Sequence, residues 1–216
     1  MPRSPQHLSQ RCLQRRRFMA RCASLALVGP VLAACDRVTT AGPNPVFRGI
    51  DITGAQYARD FALIDFHGQP RHLTDYRGKV VMLYFGFVQC PDVCPTALTR
   101  AAGVMQRLGA DATQLQLLFV TVDPERDTPE LLRDYLAAFH PSFVALTGSA
   151  DQIKAAADEF RAFYKKVPTG SSYTMDHTAL SYLFDRQGRV RVALRHEQTV
   201  DDYTADVQAL LAEPAA

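Results

Sequence analysis

The sequence predicts an α/β domain with a mixed central sheet between helices and a hairpin near its C-terminal end. Three observations carry this. Two continuous apolar runs, at about Val80–Phe85 and in "LQLLFVTVD", have the length of strands covered on both faces. Segments with helical spacing alternate with them. The pair "TALSYLF" and "RVRVAL" flanks the turn Asp185-Arg186-Gln187-Gly188 and reads as a hairpin.

Taken in order, "DFALIDF" is a first strand, ended by the turn His67-Gly68-Gln69-Pro70. The apolar strand at Val80–Phe85 follows, and at its carboxyl end lies "FGFVQCPDVCPT". In "PTALTRAAGVMQRLG", Leu98, Ala101, Met105 and Leu108 recur at helical spacing, Pro95 suits the first helical position with Cys94 as cap or its neighbour, and Gly109 is the stop. After the second buried strand, "DTPELLRDYLAAF" opens a helix with Asp127 or Thr128 as cap and Pro129 behind it. A short strand "FVAL" leads into "TGSADQIKAAADEFRAFY", a helix, and a last amphipathic helix covers about Val200–Leu211 after the hairpin. A thioredoxin-like sheet is the economical way to arrange this order. In such folds ligands sit at the carboxyl ends of strands, which is where Cys90 and Cys94 are.

Residues 1–34 form an expected export signal. They hold six arginines and no acidic residue, then the apolar stretch "ASLALVGPVLAA". Its 12 residues, broken by Gly29-Pro30, fall short of the roughly 20 a spanning helix needs. "RRRFM" resembles a twin-arginine signal and "LAAC" a lipobox, which makes Cys35 the expected lipidated residue. Residues 35–58 read as a lipid-anchored tether, with the folded domain over 59–216. This places the protein in a bacterial cell envelope, held to the membrane and facing the periplasm.

Setting the signal aside reverses the charge. The whole chain has 24 basic and 22 acidic residues; without the six signal arginines the balance is 18 to 22, net −4. No basic stripe with interleaved aromatics remains, so nucleic acid is excluded as a partner. Of five cysteines, Cys12 and Cys22 leave with the signal and Cys35 is taken by lipid, leaving Cys90 and Cys94.

These two are a staple, a redox pair or two jaws of a metal clamp. A loop this short removes little entropy from the unfolded chain, which argues against a staple. The gap of three residues, Pro91-Asp92-Val93, differs from the two of the usual exchange motif, though it still permits a disulfide. A helix amino end alone moves a thiol only from about 8.5 to about 7.8. A metal displaces the proton outright. Two thiolates need a third ligand, and His67, His72, His140, His177 and His196 are all candidates. His177 stands where a loop turns into the final hairpin, but position alone does not decide among them. Met175 is a soft candidate and equally a packing residue. Asp123 and Asp127 in "DPERD" suit either capping or a place beside the site. Asp92 reads as solvated, and Phe87 and Tyr173 as core or as shields of a metal.

"YFGFVQCPDVCP", "VTVDPERDTPELLRDYLAAF", "ALTGS" and "YTMDHTALSYLFDRQG", in this order over about residues 60–212, resemble the Sco/SenC family of copper proteins. The resemblance implies a thioredoxin-like fold and a copper site made of Cys90, Cys94 and His177. It also implies a metallochaperone, not an enzyme, that supplies or prepares copper for the dinuclear site of cytochrome c oxidase subunit II. Other copper chaperones or a thiol reductant would be further partners. Val88 departs from the small polar residue usual before the motif. Two thiolates and an imidazole suit Cu(I), whereas zinc generally seeks a fourth ligand. The other reading is a thiol–disulfide oxidoreductase that reduces the cysteines of that subunit, for which only Cys90 and Cys94 would matter.

Overall fold

The computed structural model describes residues 45–214. The expected signal at 1–34 and Cys35 lie outside the described residues. Ten strands and four α-helices follow one another, with two short 3-10 turns. In chain order the strands and helices are β1 (Ile50–Asp51), β2 (Leu63–Asp65), β3 (Pro70–Arg71), β4 (Val80–Gly86), α1 (Val93–Leu108), β5 (Leu115–Thr121), α2 (Pro129–Ala137) and β6 (Val144–Thr147). Then come α3 (Ala150–Glu159), β7 (Tyr164–Thr169), β8 (Ser172–His177), β9 (Ser181–Phe184), β10 (Val190–Leu194) and α4 (Val200–Leu211). Eight strands form one sheet in the order β1-β10-β9-β4-β5-β6-β2-β3; β7 and β8 pair only with each other.

The centre of the sheet is parallel. β4 runs beside β5 in register from Val80↔Leu115 to Gly86↔Thr121, and every residue of both is buried. That two-sided burial is what their unbroken apolar sequence requires. β9 closes on the other side of β4 in antiparallel register, so the sheet is mixed as expected. Along β4 the side chains alternate. Phe85 meets Phe160, just past α3, with ring centroids 5.4 Å apart. Tyr84 and Gly86 point to the opposite face, where Gly86 lies under Cys94 of α1. Helices α1 and α4 pack together there, with Gly103 against Val200 and the Arg100 guanidinium 5.2 Å from the Tyr203 ring.

Three sequence expectations are corrected. The folded unit starts at Pro45, not at 59: β1 pairs with β10 (Ile50↔Ala193), and Asp206 of α4 accepts from the Arg48 and Gly49 N–H groups at 2.6 and 2.8 Å. Helix α1 starts at Val93, so Asp92 is its cap and Cys94 lies inside its first turn. Pro95 at the third helical position needs no donor, because the N–H groups of a first turn have no intrahelical acceptor. The helix expected to reach Tyr164 ends at Glu159, and Tyr164 instead opens the β7–β8 hairpin. No described helix is long and apolar enough to cross a membrane.

Candidate metal centre

The site lies at the carboxyl end of β4. Its first half is the Phe87–Val93 loop. Cys90 is 8 % exposed and Cys94 is wholly buried, and both thiols are free. The Cys94 N–H donates to Cys90 Sγ at 3.4 Å. Gly86 leaves the room in which Cys94 sits: a Cβ there would stand 3.0 Å from Cys94 Sγ and 2.8 Å from Phe119 Cε2.

The second half is the end of β8. His177 brings Nε2 to 3.4 Å from Cys94 Sγ, although 83 residues separate them in the chain. Its Nδ1 is 3.0 Å from the Thr178 carbonyl oxygen. A carbonyl only accepts, so Nδ1 donates to it and Nε2 is the nitrogen that faces the sulfurs. Two rings hold the imidazole edge-on, Phe87 at 5.8 Å and Tyr84 at 5.9 Å. The donor atoms of Cys90, Cys94 and His177 lie within 4.8 Å of one another; among the described residues they form the one such group of three His, Cys, Asp or Glu side chains. His67, His72, His140 and His196 are not part of it.

The two sulfurs are electrostatically unequal. The Cys94 thiol beside it holds Cys90 far below an ordinary thiol, at about 4, against the opposing effect of burial and with help from His177. This exceeds what the helix end alone supplies. Burial pushes Cys94 well up, and the sulfur of Cys90 beside it adds to the rise. The Tyr84 hydroxyl, buried and without a nitrogen or oxygen partner, is held protonated by burial and by the nearby Cys94. Cys90 is therefore the thiolate and Cys94 the thiol.

The "DPERD" carboxylates lie beside the site, as one of the two sequence readings had them, and Asp127 does not cap the helix. Thr128, not Asp127, caps α2, accepting from the Leu131 N–H. Asp127 is buried and accepts from Thr121 Oγ1 at 2.6 Å and from the Val88 N–H at 3.1 Å, which ties down the start of the cysteine loop. Burial raises its carboxyl to about 6. Asp123 accepts from the Tyr173 hydroxyl at 2.9 Å and from Arg126 Nε. Neither carboxylate orients His177. Tyr173 packs on Arg126, 3.7 Å from its guanidinium. Met175 is buried beside a cavity of about 400 Å³ shared with Val122, Ile153 and Phe163. Asp92 is exposed. Sequence reasoning passed over Arg126, Tyr84 and Gly86. Arg126 stood inside a segment already singled out, and its five-donor fork was the available signal.

The SCO1/SenC family model matches residues 51–212, three-quarters of the chain, and this chain belongs to that family. SCO2-like protein RP587 of Rickettsia prowazekii is 41% identical over 132 residues, 60% of this chain and 64% of the relative. The chain thus spans just under two-thirds of that relative's length. Among solved structures, copper-bound ScoI of Bradyrhizobium japonicum is 38% identical with a TM-score of 0.66, covering 70% of this chain and 98% of the other. BsSco, described as having a disulfide switch and as a member of the Sco family of cytochrome c oxidase assembly proteins, is 25% identical with a TM-score of 0.60, covering 76% and 99%. The fold is accordingly the thioredoxin-like one expected.

Proposed function

We propose that this chain binds copper through Cys90, Cys94 and His177 and hands it to the dinuclear copper site of cytochrome c oxidase subunit II. The observation that carries the reading is the convergence of two sulfurs and one imidazole nitrogen within 4.8 Å. Two soft donors and a borderline one match Cu(I). Zinc would call for a fourth protein ligand or water, and no further His, Cys, Asp or Glu joins the group among the described residues.

The chain's own residues divide the work. Cys90, outermost and already a thiolate, is the first contact for an arriving ion. Cys94 gives up its proton on binding, so loading releases a proton and weakens as pH falls. His177 completes a three-donor set with an open side, through which an acceptor's ligand can enter before Cys90 lets go. Lipid at Cys35, after removal of 1–34, would keep the domain at the envelope membrane where the oxidase subunit is reached.

A second reading is favoured by a separate observation. Cys90 and Cys94 are free, adjacent and split into thiolate and thiol, the arrangement a thiol–disulfide oxidoreductase needs. Reduction of the subunit's cysteines would then precede delivery. Titrating Cu(I) into wild type, His177→Ala and Cys90→Ser against a competing chelator separates the two. One tight copper in wild type with weaker binding in both variants supports the clamp. Unchanged binding in His177→Ala removes the third ligand and leaves the reductase.

A further inference from the structure

The two halves of the site belong to different parts of the fold. Cys90 and Cys94 follow β4 in the main sheet, whereas His177 ends a hairpin that pairs with no strand of that sheet. Something must hold the hairpin over the cysteine loop, and the polar contacts that do so come from three residues of one short segment, Asp123, Glu125 and Arg126. Asp123 accepts from the Tyr173 hydroxyl, Glu125 pairs with Lys166 at 2.7 Å, and Arg126 Nη1 donates to the Tyr173 carbonyl at 2.8 Å. The same Arg126 Nη1 donates to Gln89 Oε1 at 3.0 Å, beside Cys90, and the guanidinium faces the rings of Tyr173 and Phe87 at 3.7 and 6.0 Å.

We propose that Arg126 is a positioning residue for the metal centre, a clasp that sets His177 against the cysteine pair by gripping the β7–β8 hairpin and the cysteine loop at once. This rests on the copper reading only for its consequence in metal binding. Of the three residues, Arg126 alone reaches both halves. The Glu125–Lys166 pair is exposed, and exposed pairs contribute little. Arg126 is 17 % exposed, is anchored by Asp123 and stacks on an aromatic face, where a guanidinium is favoured and a lysine ammonium could not make the same forked set of bonds. Met175 is buried, and Tyr164 and Tyr173 pack against the core, but the cavity of about 400 Å³ lies along the hairpin, lined by Phe163, Lys166 and Met175, so it is not packed solid on that side.

The test uses the full chain, first without metal. Amide hydrogen exchange is followed in wild type, Arg126→Ala and Arg126→Lys. Both variants are expected to speed exchange across 172–177 while 80–86, in the central strand, stays as protected as in wild type. Cu(I) competition then compares Arg126→Ala, His177→Ala and the double variant. Arg126→Ala is expected to weaken binding by about 10–100-fold, the usual loss for a residue that orients a ligand. The double variant should bind within about twofold of His177→Ala, because Arg126 acts through that ligand. Wild-type exchange in the hairpin of either variant overturns the proposal, as does a double variant whose loss is the product of the two single losses. Should Arg126→Ala fail to fold, Arg126→Lys carries both measurements. Failure of wild type to bind copper would sink the copper reading and leave the exchange result to judge the clasp.

Discussion

Substituting Gly86 by alanine adds one methyl group at the point where β4, β5 and the cysteine helix meet. The new Cβ would stand 2.8 and 3.0 Å from two ring carbons of Phe119 and 3.0 Å from Cys94 Sγ. Phe119 is fully buried and fixed between Tyr84 and Tyr135, with centroids 6.3 and 6.1 Å away, so its ring cannot withdraw. The movable neighbour is the sulfur, one rotation about its χ1 from leaving His177. Overpacking of this kind costs about 1–3 kcal/mol, a fall in Tm of roughly 2–12 °C for a domain of this size. The sharper consequence is in the site. Moving Cys94 Sγ breaks its 3.4 Å approach to His177 Nε2, so Cu(I) affinity should drop by more than the loss of stability explains. Thermal unfolding and chelator competition on Gly86→Ala measure both. A variant as stable as wild type, with undiminished Cu(I) binding, would refute the seating of Cys94 against Gly86.

Three further outcomes follow from the same geometry. Cys90, held as a thiolate at about 4, should alkylate with iodoacetamide at about pH 6, at least about tenfold faster than buried Cys94; equal labelling by mass spectrometry would contradict the split. Asp127 has its carboxyl raised by burial from 3.8 to about 6, so it favours the folded state most below its unfolded value and loses that contribution as pH rises through 6. Asp127→Asn should therefore flatten the change in urea midpoint between about pH 4 and pH 7, and an unaltered slope would count against the buried charge. Asp206→Ala leaves the Arg48 and Gly49 N–H groups without their acceptor, a local cost of about 1–3 kcal/mol, and should speed limited proteolysis within 45–52 while Cu(I) affinity holds.

Where the chain buries both faces or states its caps, its structure was legible. The unbroken apolar runs became β4 and β5, and Thr199 with Asp202 capped a last helix over Val200–Leu211, the span the periodicity indicated. The β7–β8 hairpin was not legible, because half of its residues are exposed, only Met175 is buried, and it carries Lys165, Lys166 and Pro168 rather than alternating apolar residues. Its only local sign was the tight turn at Gly170, whose φ of +61° suits glycine. That omission also hid why His177 meets the cysteines. The pair Cys90 and Cys94 could be read from spacing, but the choice of His177 among five histidines came through family resemblance, since strand ends that meet in space leave no mark in the chain. The role of Asp127 stayed open between two readings for a related reason. A carboxylate before Thr-Pro looks like a cap, and only the fold shows it turned inward to Val88 and Thr121.

On the proposed copper reading, the span of 83 residues between Cys94 and His177 bears on when the site can form. In an unfolded chain Cys90 and Cys94 are near each other but His177, 83 residues on, is not held beside them, so an ion meets a two-point grip that any short cysteine peptide could match. The third point exists only after the sheet has closed and the hairpin has docked. Copper bound by all three donors therefore favours the native state by mass action, with a strength set by free ion over Kd. Under that reading a misfolded chain would hold the ion loosely and lose it to folded ones, so binding would also report on the fold.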